Sequence, residues 1–257
     1  MNDIDQHITM IKNGVKISYL KWLETLNKIN VNTRYSAKDI GYGASSAGMC
    51  HLKHYFRRID ADKKETDYTS LCKMRMGTLV HEDIQNAIQY INAMDYKVMC
   101  EIPVTYKKVK GHADIVVEID DKRAMLIDIK TMAAFPWSKK YGHKPDKNPS
   151  VWNKLQLGTY SLGLQQDYGY EDVYMYLLNY NKNTNEMRFE GVGFEYEQEA
   201  AQYWYDVERD VDVLTKDPED VYLITGKGNT PKHKWECGYC PYEQNCPIVP
   251  DSTWRKE

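Results

Sequence analysis

Residues 111–130 read as two short apolar runs joined by a polar turn at Asp120-Asp121-Lys122, and each run carries one aspartate, Asp114 in the first and Asp128 in the second. Such a stretch reads as a β-hairpin, because side chains that alternate with period two sort the residues of each strand onto opposite faces. In the second strand Ala124, Leu126, Asp128 and Lys130 point one way, and Met125, Ile127 and Ile129 the other. The turn brings Asp114 across the ladder toward Asp128, where facing Cβ atoms stand about 4.5–5.5 Å apart. Two carboxylates held that close repel unless a cation lies between them, and hard oxygen ligands suit Mg²⁺ or Mn²⁺.

The tripeptide Asp-x-Lys occurs three times, at Asp62-Lys63-Lys64, Asp120-Asp121-Lys122 and Asp128-Ile129-Lys130, but only the last ends an apolar strand. The other two sit in charged segments that read as solvated loops. At 257 residues, 42% hydrophobic and 28% charged, the chain can fill one large core or two small ones. Nothing in it resembles a secretion signal or an apolar run of the ~18 residues that a membrane span needs. The expectation is a cytoplasmic protein, in a host cytoplasm if its origin is viral, with no membrane partner. A formal charge of −3 gives no overall basic signature. Any nucleic-acid contact must rest on local patches such as Arg57-Arg58, Lys107-Lys108-Lys110, Lys139-Lys140 with Lys144 and Lys147, or Lys232-His233-Lys234.

Along the chain, Val15, Tyr19, Trp22, Leu26 and Ile29 recur at helical steps. Ser45 or Ser46 reads as the cap of a helix carrying Cys50, Tyr55 and Phe56, and Met76-Gly77-Thr78 as the start of another, with His81 and Glu82 in its first turn. Residues 101–106 read as a strand pairing with the central hairpin, at an edge or bulge because of Pro103. Residues 135–150, rich in Lys, Gly and Pro, read as a long mobile insertion beside the site. A helix over 151–166 puts Gln156 and Tyr160 on one face. Strands follow at 172–180 and 186–196, then a helix with Ala200, Trp204, Val207, Val211 and Leu214 as its apolar stripe.

The C-terminal run Cys237-x2-Cys240-x5-Cys246 is the most distinctive spacing in the chain. Without a secretion signal, such thiols point to metal ligation rather than to a disulfide framework. A fourth ligand is needed, and Cys50, Cys72 and Cys100 are the candidates. Four thiolates hold either zinc or an iron-sulfur cluster, and spacing alone does not choose between them.

Taken in order, Cys50, Gly77 to His81, Gly111 to Asp114, Asp128 to Lys130, Gln156 to Tyr160, and Cys237, Cys240 and Cys246 resemble the motifs of PD-(D/E)XK nucleases of the RecB type. The likeness extends to the iron-sulfur subgroup that includes the CRISPR-associated nuclease and the AddB nuclease domain. It spans residues 44–247 and departs from the family name in having Ile127 where the first proline would stand. The resemblance implies a mixed α/β fold, with a restriction-endonuclease-like central mixed sheet flanked by helices. It further implies an iron-sulfur region joining the N- and C-terminal segments. The division is then a helical extension over 1–43, the nuclease domain over 44–247 and a tail over 248–257.

The resemblance also implies roles. His81, Asp114, Asp128 and the backbone carbonyl of Ile129 hold Mn²⁺ or Mg²⁺, and Lys130, with the two aspartates, is catalytic. Glu101, Gln156 and Tyr160 orient ligands or substrate. Cys50, Cys237, Cys240 and Cys246 bind a four-iron, four-sulfur cluster, with zinc as the alternative occupant. The implied activity is hydrolysis of DNA at single-stranded ends during recombination, repair or end processing, with protein partners in a recombination or CRISPR-type complex. The alternative is a cluster-bearing DNA-end-binding subunit with little nuclease activity. Phe135, Trp137, Tyr141 and Trp152 are candidates for stacking on bases, Trp137 and Trp152 above all.

Overall fold

The computed structural model describes residues 41–91, 96–145, 150–216 and 234–246, with a few helical positions between Lys21 and Lys28. Of the N-terminal stripe, Leu26 is helical, while Val15, Tyr19, Trp22 and Ile29 lie outside the described residues. So do Lys147, Lys232, His233 and the tail over 248–257. The chain divides into two compact units, residues 1–40 with 65–80 and residues 41–64 with 81–257. Among the described residues no helix is long and apolar enough to cross a membrane.

The elements of the second unit start with β1 (Tyr42–Gly43), a 3-10 turn (Ala44–Ser46) and α1 (His51–Arg58). Helix α2 (Tyr68–Ile91) begins in the first unit and enters the second at His81. There follow β2 (Lys97–Tyr106), β3 (Val109–Glu118), β4 (Arg123–Met132), α3 (Ala134–Tyr141), α4 (Val151–Tyr168), β5 (Asp172–Asn181), β6 (Met187–Val192), α5 (Glu195–Lys216) and α6 (Lys234–Gly238). The six strands form one mixed sheet, ordered β1-β3-β4-β5-β6, with β2 also on β3. Pairing is antiparallel for β2-β3, β3-β4 and β5-β6, and parallel for β1-β3 and β4-β5.

One detail of the register creates the site. Strand β2 pairs along β3 from Val109 to Glu118, so β1 and β4 must share the opposite edge of β3. On that edge β4 holds only Ile115–Glu118 and β1 only Val109–Lys110. Residues 111–114 of β3 are left unladdered there, while β4 continues past Asp128 alongside β5. The sheet thus forks at Asp114 and Asp128.

The period-two reading of β4 holds. Ala124 and Leu126 join the larger core cluster with α1, α4 and α5, and Ile127 and Ile129 join a smaller one with Ile84 and Ile88 of α2. The stripe expected on α5 is fully internal, with Ala200, Val207, Val211 and Leu214 each at 0% exposure. Helix α4 packs so closely on α5 that a side chain at Gly158 would run into the Tyr196 carbonyl. Buried polar contacts tie α1 to α5: His51 Nδ1 lies 2.7 Å from Asp210 Oδ2, and His54 Nε2 lies 2.8 Å from the Tyr203 hydroxyl.

Four local expectations need correction. The cap of α1 is Cys50, not Ser45 or Ser46, and the Ser46 hydroxyl instead donates to the Gly43 carbonyl at 2.6 Å. Helix α2 starts at Tyr68, not near Gly77, because Asp67 caps it by accepting from the Ser70 N–H and hydroxyl. His81 is therefore mid-helix. The segment after β4 is not one long loop, since 134–141 is helical, with Pro136 in the first turn where its missing N–H costs nothing. Strand β6 stops at Val192, and Glu195 and Glu197 open α5 with acids in the first turn, where the helix dipole favours them.

Candidate active site

At the fork, Asp114 is 8% exposed and Asp128 1%. The Ile129 N–H, left without a ladder partner on β3, donates to Asp114 Oδ2 at 2.7 Å, so a carboxylate takes the place of a missing strand bond. His81 Nδ1 approaches the same oxygen at 3.4 Å. The Lys130 ammonium sits 2.8 Å from Asp128 Oδ2 and donates to Gln156 Oε1 at 3.0 Å. The Gln156 amide in turn donates to the Tyr160 hydroxyl at 2.8 Å and reaches Asp128 Oδ1 at 3.4 Å. Asp128, Lys130, Gln156 and Tyr160, all picked out in the sequence, therefore form one network, and His81, Asp114 and the Ile129 N–H form a second beside it. Tyr160 reaches the first because position 111 has no side chain: a Cβ on Gly111 would stand 2.5 Å from the Tyr160 ring.

The electrostatics follow from burial. Desolvation drives the Asp114 carboxyl well above its usual pKa, the Asp128 charge adds to this, and Lys130 opposes it. Burial lowers the His81 pKa, and the Lys130 charge lowers it further, so the imidazole is neutral with a lone pair to offer. A buried carboxylate pair beside a neutral imidazole is a donor set suited to a divalent cation. Among the described residues no three His, Cys, Asp or Glu side chains already stand as a finished ion site. Instead Lys130 neutralises Asp128 directly.

Glu101 lies on β2 at the position facing Asp114 and acts electrostatically on both His81 and Asp114. The sequence reading missed Gln85, which is 6% exposed and donates to Glu101 Oε1 at 2.9 Å and to the Asp114 carbonyl at 3.0 Å. Its signal was available, since it follows His81 by four residues on the same helix face. The reading also missed a buried polar group one strand further on. Lys140 and Lys154 share the Glu190 carboxylate, at 2.5 and 3.1 Å, and Lys140 also donates to the buried Asn179 beside Lys130 in the ladder. Lys140, read as part of a surface patch, is 7% exposed.

The aromatic candidates separate. Trp137 is 8% exposed, lies 4.6 Å from Tyr141 between ring centroids and is covered by the Arg188 guanidinium, so it has no free face for a base. Trp152 lines a different cavity. Phe135 is 71% exposed, with the Lys139 ammonium 5.8 Å from its ring centroid.

The cavity beside Trp152, of about 180 Å³, is lined by Cys50, Cys237, Cys240 and Cys246 together. Cys50 sits at the N-terminus of α1, where the Leu52 and Lys53 N–H groups bond its sulfur, yet burial pushes its pKa to about 12. Burial and neighbouring thiols also raise Cys237 and Cys240. The segment bearing the last cysteines is fastened to residues after α1, with the Lys64 N–H donating to the Pro241 carbonyl at 2.8 Å and Asn245 to the Asp62 carbonyl at 2.8 Å. Cys72 belongs to the first unit, and Cys100 lies on β2 near Glu101 and Asp114.

The family model of the PD-(D/E)XK nuclease superfamily matches residues 91–247, which include both aspartates, Lys130 and the Gln156–Tyr160 pair. The chain belongs to the PD-(D/E)XK nuclease superfamily. A curated relative is the CRISPR-associated exonuclease Cas4 of Saccharolobus solfataricus, 23% identical over 177 residues that cover 67% of this chain and 70% of that protein. The crystal structure of SSO0001 shares the fold, with a TM-score of 0.51 at 14% identity, covering 90% of this chain and 96% of that one. An alkaline exonuclease from Laribacter hongkongensis aligns at a TM-score of 0.46 and 14% identity, covering 74% of this chain and 99% of that one. This PD-(D/E)XK protein is thus a nuclease with the mixed α/β sheet of its superfamily, and nucleases of this type use divalent metal ions on DNA.

Proposed function

We propose that the chain is a metal-dependent DNA exonuclease acting at single-stranded ends, with the fork of the sheet as its active site. The observation that carries this reading is the buried Asp114–Asp128 pair with Lys130 between Asp128 and Gln156. His81, Asp114, Asp128 and the Ile129 carbonyl would hold Mn²⁺ or Mg²⁺. Such an ion supplies Lewis-acid polarisation of the phosphoryl oxygen and a lowered pKa for bound water. Asp128 and Gln156 hold the Lys130 ammonium at the mouth of the fork, where it orients the attacking water and offsets charge on the phosphate. Tyr160 fixes the Gln156 amide so that its carbonyl faces Lys130. Hydrolysis forms a bond from water oxygen to phosphorus and breaks the bond to the leaving oxygen, which takes up a proton.

Single-strand preference rests on the family resemblance and on Phe135 with Lys139, an exposed aromatic beside a cation just after the strand that carries Lys130. The curated relative is named a CRISPR-associated exonuclease, and a CRISPR-type or recombination complex is the setting we favour. Cys50, Cys237, Cys240 and Cys246 would hold a four-iron, four-sulfur cluster. Zinc would need all four sulfurs near 2.3 Å from one point, hence within ~4.6 Å of each other. All four cysteines line one cavity, and zinc remains the alternative occupant. The role assigned to the cluster is structural, clamping the terminal segment to α1.

The test is cleavage of end-labelled single-stranded DNA with Mn²⁺, with Mg²⁺ and with EDTA, for wild type and Lys130→Ala. Metal-dependent degradation lost in the variant is expected, and the label position gives the polarity. Equal inertness of both proteins, with DNA binding retained, would instead favour the end-binding subunit.

A further inference from the structure

The position where Glu101 faces Asp114, left out of the ladder between the Cys100–Ile115 and Ile102–Ala113 pairs, is unusual on both strands. On β2, Ile102 and Val104 join the larger core cluster, whereas Val98 and Cys100 join the smaller one on the other face of the sheet. On β3, Ala113 belongs to the larger cluster and Ile115 to the smaller. Residues two apart in a strand should share a face, so Ile102 and Cys100 should agree, and Ala113 and Ile115 should agree. Both strands therefore change sides at the same position. Glu101 absorbs the reversal with φ of +50°, a left-handed conformation that is unfavourable for a glutamate. Strain of this kind persists only where the surroundings hold it.

The holding group is Gln85. Its buried Nε2 has two hydrogens and spends one on Glu101 Oε1 and one on the Asp114 carbonyl, so a single amide pins both strands at the reversed position. We infer that Gln85 is a positioning residue, which keeps the Glu101 carboxylate beside His81 and Asp114 and thereby sets the affinity of the fork for its divalent ion. Without the amide, Glu101 relaxes toward an ordinary extended conformation and its carboxylate swings away. The inference rests on the metal-site reading above.

The test is Mn²⁺ binding in the absence of DNA, read from the paramagnetic resonance signal of free Mn²⁺, for wild type, Gln85→Met, Glu101→Ala and the double variant. Gln85→Met keeps the length of the side chain and removes both donors. It should weaken Mn²⁺ binding about 10-fold or more, the usual effect of losing a group that orients metal ligands. Glu101→Ala should weaken it by a similar factor, and the double variant by no more than Glu101→Ala alone. Wild-type affinity in Gln85→Met, or losses that multiply in the double variant, would overturn the inference. Should Gln85→Met fail to fold, an undiminished affinity in Glu101→Ala overturns it equally. A wild type that binds no Mn²⁺ would bring down the metal-site reading first, and that outcome shows in the unmodified protein.

Discussion

Replacing Asp114 by Asn should make the metal-free protein more stable while abolishing its activity. The carboxylate is buried, next to the Asp128 charge, and its pKa is raised by both burial and that charge. For an acid whose folded pKa lies above its unfolded value of ~3.9, the stabilising contribution is complete below that value and is lost as pH rises through the folded pKa. At neutral pH the ionised or reluctantly protonated Asp114 therefore weakens the fold. Asparagine keeps an oxygen to accept the Ile129 N–H bond and drops the charge. A gain of about 1–2 kcal/mol is the expected scale for one such relief, and each kcal/mol moves the midpoint by about 2–4 °C in a chain of this size. The gain should shrink toward acid pH. Added Mn²⁺ should stabilise the wild type by ~2.7 kcal/mol at a hundredfold excess over its dissociation constant, and Asp114→Asn hardly at all. Thermal unfolding at pH 5 and pH 8, in EDTA and in Mn²⁺, reads both effects. An Asn variant less stable than wild type in EDTA at pH 8, or one that keeps the full Mn²⁺ shift, would refute the reasoning.

Gly111→Ala places a Cβ against the Tyr160 ring and Ala44, so it should cost ~1–3 kcal/mol and lower the turnover of DNA by displacing Gln156 from Lys130; unfolding and cleavage assays measure the two losses. Cys50→Ala should lose bound iron and sulfide while Cys72→Ala keeps both, and a Cys50→Ala protein with full iron content would remove Cys50 from the ligand set. Trp137→Ala should destabilise the fold by ~3–5 kcal/mol and leave single-strand affinity unchanged in the folded protein, because the ring is packed inside. Phe135→Ala should do the reverse, costing ~1–3 kcal/mol of single-strand binding in a titration with labelled oligonucleotide.

The hairpin was readable because its pattern is local. Alternation alone assigns Asp128 and Lys130 to one face of β4, and that face is where Gln156 finds them. Other features depend on contacts that no local pattern announces. Gly77 looks like a helix boundary, yet α2 runs through it from a cap at Asp67, whose bonds to Ser70 outweigh one glycine. Phe135-Pro136-Trp137 looks like a loop, but proline is harmless in a first turn and Trp137 is drawn inward by Tyr141 and Arg188. Gln85 carries no motif. Its spacing from His81 puts it on the same helix face, but its partners, Glu101 and the Asp114 carbonyl, are set by two strands at once. The fork itself is equally invisible in the sequence, because it depends on how far the β3-β4 ladder runs before β1 takes over the same edge.

Helix α4 explains why both candidate centres occur on one fold. Trp152 in its first turn lines the cysteine cavity, and a side chain at Gly48, two residues before Cys50, would press on the Trp152 backbone. One turn further on, Gln156 takes the Lys130 ammonium, and Tyr160 a turn later holds Gln156. Between them Lys154 reaches Glu190 and Thr159 accepts from the Trp204 indole, fastening the helix to β6 and to α5. Trp152, Gln156 and Tyr160 lie at four-residue steps, so they form one stripe of a rigid helix. A shift of its first turn of even 1 Å would be carried to Gln156, and a displacement of that size at a group that positions a catalytic side chain costs about a hundredfold in rate. On this argument packing at the cysteine cavity also supports the fork, since Trp152 lines that cavity and starts the stripe that leads to Gln156.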